Sequence, residues 1–171
     1  MHALRAAPFY LTYDTLIRAK VLARNERGWS NASAPNSAGA TIQVEPSAVN
    51  APTRGSDTGP FQIEVIWSSL VTPDDGNSPI LSYHLQYDNA TNGNTWLDVV
   101  GLSPDSLLTD VNVSNYMVNG SWYMFRVRAR NIFGWGPFST ASTIMAAREP
   151  GIPLAPVTSI DPLTGGLLIQ W

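Results

Sequence analysis

The chain has 171 residues, 44% hydrophobic and 13% charged, a globular composition long enough for one domain of about 100 residues plus two partial ones. A net charge of -3 argues against the basic, clustered footprint of a nucleic-acid binder. The absence of cysteine excludes disulfides and thiolate metal sites, and no apolar run approaches the roughly 18 residues of a membrane span.

In chain order, the segment from Met1 to Tyr10 contains Pro8 and no long apolar core, so it makes a poor signal peptide. Short alternating runs then dominate. Phe61, Ile63, Val65 and Trp67 alternate with Gln62, Glu64 and Ile66. Tyr83, Leu85 and Tyr87 alternate with His84 and Gln86. Tyr123, Phe125, Val127 and Ala129 alternate with Met124, Arg126, Arg128 and Arg130. Period-two alternation marks half-buried strands, with the bulky members facing the core and the arginines facing out. Pro73-Asp74-Asp75-Gly76-Asn77, Asn92-Gly93-Asn94, Asn119-Gly120-Ser121 and Gly134-Trp135-Gly136-Pro137 supply the turns. Strands are predicted near 61–68, 80–88, 95–100, 106–113, 122–131 and 138–146, the pattern of an all-β sandwich.

The chain also repeats itself. Glu45-Pro46, Ala51-Pro52 and Trp67 recur 104 residues later as Glu149-Pro150, Ala155-Pro156 and Trp171. Ala23-Arg24-Asn25 with Gly28-Trp29 recurs 106 residues later as Ala129-Arg130-Asn131 with Gly134-Trp135. A fixed period predicts a tandem array of one folding unit. Its phase predicts the C-terminal part of a unit over 1–45, a complete unit over 46–148 and the N-terminal part of a third over 149–171. On that reading both ends are cut through a core, in a window from a longer protein. Leu167, Ile169 and Trp171 stand in core phase, and the proline-marked joints at 45–52 and 148–156 are short and stiff.

Taken together, these residues resemble the fibronectin type III domain. Ala51-Pro52, Ile63-Glu64-Val65 with Trp67, the segment from Pro73 to Ile80 with Tyr83, Met117, the run from Tyr123 to Asn131, and Gly134-Trp135-Gly136-Pro137-Phe138-Ser139 carry the resemblance. It implies tandem immunoglobulin-like β-sandwiches, one complete and two partial. It also implies a tyrosine corner, in which Tyr123 bonds back to backbone upstream beside the apolar Met117. The first unit has Leu11 in the place of Met117, but Ile17 in the place of Tyr123, so it lacks the corner hydroxyl.

Four Asn-x-Ser/Thr sequons, at Asn31, Asn89, Asn112 and Asn119, can accept N-linked glycans in a secretory compartment. Asn, Ser and Thr are also common in plain turns. Arg126, Arg128 and Arg130 project from one strand face, with Trp135 just past the turn, so a cation–π ladder competes with a solvated basic stripe. The first unit repeats the idea with Arg18, Lys20, Arg24 and Trp29, although Leu22 breaks the series. Modules of some cytokine receptors, to which these are similar, have such ladders. Arg54-Gly55-Ser56-Asp57 has the wrong spacing for an integrin tripeptide. Asp74, Asp75 and Asn77 fit a plain turn better than a calcium site.

Catalysis finds no support. His2 and His84 are the histidines, His84 stands on an outward phase with no partner visible in the sequence, and no glycine-rich phosphate loop opens a helix. No cofactor or metal is expected. The sequence therefore points to a non-enzymatic rod of serial sandwiches in an extracellular or cell-surface fibre, stalk or adhesive protein, soluble by sugar rather than by charge. Partners would be further copies or other proteins, met through sheet edges and exposed aromatics such as Trp96, Trp122 or Phe138. An intracellular scaffold is the main alternative, since the lack of cysteine fits a reducing compartment and Pro73 to Gly76 and Arg126 to Gly136 also resemble modules of giant muscle filaments. A receptor ectodomain that binds a protein ligand through its loops is a third.

Overall fold

A computed structural model describes residues 2–171, with side chains from residue 4 onward, so the start of the 1–45 unit and the side chain of His2 lie outside it. The elements are α1 (His2–Arg5), β1 (Arg24–Asn25), β2 (Gly28–Trp29), β3 (Thr53–Arg54), β4 (Ile63–Ile66), β5 (Ser82–Tyr87), β6 (Leu97–Val100), β7 (Asp110–Val113), β8 (Trp122–Asn131), β9 (Gly134–Trp135), β10 (Ser142–Met145), β11 (Val157–Ile160) and β12 (Leu167–Gln170). Apart from the four-residue α1 the architecture is all β. β8 occupies its predicted span, while the other predicted strands are shorter at their ends. β1, β2, β3 and β9 are two-residue ladders, too short to show any period.

Two antiparallel sheets make the central sandwich. One has the order β3-β4-β7; the other has β10-β8-β5-β6, with β9 also on β8. Alternation decides what lies between them. Ile63, Val65, Trp67 and Val113 come from the first sheet and its margins; Tyr83, Leu85, Tyr87, Tyr123, Phe125, Val127, Ala129 and Ile144 come from the second. Trp67 meets Tyr83 edge-on at 6.4 Å, and Tyr87 lies against Phe125 at 6.3 Å. Phe61 departs from its predicted inward phase and is 67% exposed. Gly59 N–H bonds Gln62 O at 2.9 Å, so the chain is still turning there and the strand phase begins at Ile63.

Buried polar groups pin the loops. The Tyr123 hydroxyl accepts Val118 N–H at 2.9 Å and donates to Tyr116 O at 3.2 Å, with Met117 buried alongside. Between β5 and β6 the chain needs nine residues, 88–96, three more than the 89–94 left between the predicted strands. Asp88, buried beneath this loop, accepts N–H bonds from Ala90, Gly93 and Met124 at 3.1, 2.9 and 2.8 Å.

The sequence repeat has a counterpart in register. Arg24 pairs Trp29 and Asn25 pairs Gly28, as Arg130 pairs Trp135 and Asn131 pairs Gly134. Val157 pairs Gln170 and Thr158 pairs Ile169, as Thr53 pairs Ile66 and Arg54 pairs Val65. The isolated bridge Leu16–Thr41 matches the pair Trp122–Met145. Burial differs sharply. Trp67 is 5% exposed, whereas Trp171, predicted as core at the equivalent position, is 93% exposed with Leu167 and Ile169 also open. Among the described residues no second sheet faces the β11–β12 hairpin.

Candidate functional site

The outer face of the second sheet carries the most organised surface chemistry. Register places Ser82, His84 and Gln86 of β5 opposite Arg130, Arg128 and Arg126 of β8. The arginines alternate with aromatic rings supplied by the flanking segments. The Arg126 guanidinium lies 3.9 Å from the Trp96 ring centroid and 4.1 Å from that of Phe138. Arg128 lies 4.4 Å from Phe138 and 4.7 Å from Trp135; Arg130 is 5.4 Å from Trp135. The order along the face is therefore Trp96, Arg126, Phe138, Arg128, Trp135, Arg130. Such contacts contribute about 0.5–1 kcal/mol each where exposed.

Hydrogen bonds fix the guanidinium planes. Gln86 Oε1 accepts from Arg126 Nε and Nη2 at 2.9 and 2.7 Å. Arg130 Nη2 donates to Asp105 Oδ1 at 2.6 Å. Arg128 Nε donates to His84 Nδ1 at 3.1 Å, which leaves the His84 proton on Nε2, donated to Asp98 Oδ1 at 2.7 Å. The sequence pattern missed the Trp96 and Phe138 rungs, which it offered as free anchors, and showed no partner for His84. Yet the period-two phase of β5 already puts His84 and Gln86 beside the arginines. His84 is 1% exposed because Trp135 and Phe138 close over it, at 5.6 and 5.7 Å between centroids.

Burial pulls His84 below its ordinary value of 6.5, Arg128 and Arg126 add to that, and Asp98 opposes it. The Gln86 hydrogen bond, helped by His84, holds Asp98 below its ordinary value. Burial lowers Arg126 and Arg128 as well, but guanidinium remains charged. The folded state therefore binds fewer protons than the unfolded chain at the His84 and Asp98 positions. Stability is fully present above about pH 6.5 and falls as pH drops below it through His84, then further through Asp98. Urea unfolding between pH 7.5 and 5 will show this loss, and His84→Gln will flatten it. An unchanged slope in the variant would contradict the assignment.

The other predicted positions are distributed over the surface. Trp29 is exposed, with Arg24 5.6 Å from its ring; Arg18 and Lys20 have no such contact. Asn31, Asn89, Asn112 and Asn119 are all exposed, Asn112 on the outer face of β7 and Asn89 in the Asp88 loop. Trp122 is 57% exposed at the start of β8. Arg54 donates to Ala147 O at 3.0 Å, tying the two sheet edges together. Among the described residues no group of three or more acidic, histidine or cysteine side chains could hold a metal, and no helix is long and apolar enough to cross a membrane.

Known proteins resemble the chain in sequence or in fold. Mouse Protein sidekick-1 is 33% identical over 117 residues, covering 66% of this chain, while the chain spans 5% of that relative's length. A solved segment of titin aligns with a TM-score of 0.51 and 22% identity over 74% of this chain and 39% of its own. A human FNIII domain aligns with a TM-score of 0.54 and 16% identity, covering 70% of this chain and 94% of its own. The family model for the fibronectin type III domain matches residues 46–145, the stretch that builds both facing sheets and the ladder, and the chain belongs to the fibronectin type III domain family.

Proposed function

We propose that the chain is part of a non-enzymatic rod of serial fibronectin type III units, glycosylated and displayed outside the cell or at its surface. The observation that carries the serial reading is the recurrence of strand register: two hairpins outside residues 46–145 repeat the pairing of β8–β9 and β3–β4. The identity with sidekick-1 extends over a longer stretch than the family match, which supports the same view. The proposed units are 1–45, 46–148 and 149–171. Each sandwich acts as a spacer, and the ladder stiffens its outer face. Contacts to other copies or other proteins use the open sheet edges and the exposed Trp122 and Phe61.

Exposure of all four sequon asparagines supports the surface location. Protein expressed through a secretory pathway will lose mass on enzymatic removal of N-glycans, and peptide mapping will find sugar at one or more of Asn31, Asn89, Asn112 and Asn119. Four bare asparagines would sink the surface reading and leave a cytoplasmic scaffold, which the cysteine-free composition favours.

A further inference from the structure

We infer that residues 43–47 are a clamped joint, and that the Pro73–Asn77 loop together with the Asn131–Gly136 turn is the clamp that fixes the preceding segment against the central sandwich. This deepens the rod reading, because serial units make a rod only if their joints are stiff.

The linker is held from two sides. Against the loop, Val44 N–H bonds Gly76 O at 3.1 Å and Ser47 N–H bonds Asp74 O at 2.9 Å, a short ladder between linker and loop. Gln43 Nε2 donates to Asn77 O at 2.5 Å. From the other side, the buried Asn131 amide donates to Val44 O at 2.7 Å and to Asp75 O at 2.9 Å, so one side chain joins linker and loop. The loop also reaches the segment before the linker: Asn77 Nδ2 donates to Asp14 Oδ1 at 2.9 Å, and the Tyr13 hydroxyl donates to Pro73 O. Ile42 is fully buried at this junction.

Close approach makes the fit specific. A Cβ on Gly76 would sit 2.1 Å from Val44 O, and its φ of +79° already disfavours a side chain. A Cβ on Gly136 would sit 2.3 Å from Pro46 O. The loop is braced independently of the linker: Asp75 accepts from Asn77 N–H at 2.8 Å and from the Thr72 hydroxyl at 3.1 Å. The acidic turn thus works as a receptor for backbone.

The chain also holds an unclamped reference for these amides. Glu45-Pro46 recurs as Glu149-Pro150, yet Pro46 is buried while residues 148–156 are exposed throughout. Ser47 and Val44 correspond to Gly151 and Arg148 at the 104-residue spacing. At the second Glu-Pro the positions that would correspond to the Pro73–Asn77 loop, 177–181, lie past residue 171, so the exposed amides there serve as an unclamped reference.

Native-state amide hydrogen exchange on the full chain tests this. The Val44 and Ser47 amides are expected to exchange at least about 100-fold more slowly than those of Arg148 and Gly151. Gly76→Ala should speed Val44 and Ser47 at least about tenfold while Val65, Leu85 and Phe125 keep their protection. If Gly76→Ala also loosens those core amides, the double variant Tyr13→Phe with Gln43→Ala decides, because both side chains lie outside the sandwich. The clamp is overturned if Val44 and Ser47 exchange as fast as Arg148 and Gly151, or if the double variant leaves them unchanged. Bare sequon asparagines would remove the surface reading without altering this exchange pattern.

Discussion

Phe125→Ala is expected to lower the unfolding free energy by about 3–5 kcal/mol, the range for a large side chain removed from a packed core. Phe125 is fully buried on β8, which is paired by β5 on one side and β10 on the other. Its ring lies nearly parallel to that of Tyr87, and Val127 and Tyr123 flank it on the same strand face. Paired on both edges, the strand cannot shift to refill the space, so most of the cavity persists. The control sits three residues away: Trp122→Ala removes a larger ring from an exposed position and should change stability by under about 1 kcal/mol. Urea or thermal unfolding compares them directly. Equal losses from the two variants would mean that the two faces of β8 are misassigned.

Asp88→Ala should cost about 3 kcal/mol or more, because the buried carboxylate accepts three backbone N–H bonds. Hydrogen bonds to a charged acceptor contribute about 1.5–3 kcal/mol each, and donors left unpaired carry a penalty of their own. Oδ1 serves both Ala90 and Met124, and Oδ2 serves Gly93. One carboxylate therefore holds the β5–β6 loop and staples it to β8. Asp88→Asn keeps one oxygen but aims an amide donor at backbone donors, so it should recover only part of the loss. Proteolytic nicking within 89–96 would accompany both variants. An Asn variant as stable as the native chain would show that the second oxygen is dispensable.

Legibility in the sequence followed one rule. Positions set by a strand's own period were readable: β8 stands out because Tyr123, Phe125, Val127 and Ala129 alternate with outward Met124, Arg126, Arg128 and Arg130. Trp67 and Tyr123 likewise stood out by phase, whereas Met117 stood out only through the family resemblance. Positions set by long-range backbone partners were not readable. Asp88 has the look of a loop aspartate, and Asn131 of a turn residue, until folding brings Met124, Val44 and Asp75 to them. His84 shows the boundary between the two. Its phase is written in β5, but its burial depends on rings at 135 and 138 that arrive from another segment. Phe61 shows the opposite failure, an alternation extended two residues past the point where the strand begins.

Trp67 and Trp171 give one position of the fold in two optical environments. The first indole sits in a closed core, the second in water, at the same place in the same hairpin register. A water-bathed indole emits at longer wavelength than a dry one, so the chain contains both ends of its own colour scale. Because Trp29 and Trp122 are exposed as well, the signal of the β11–β12 hairpin is the difference between the native chain and Trp171→Phe, and that difference shifts toward the emission of Trp67 when a surface covers the hairpin.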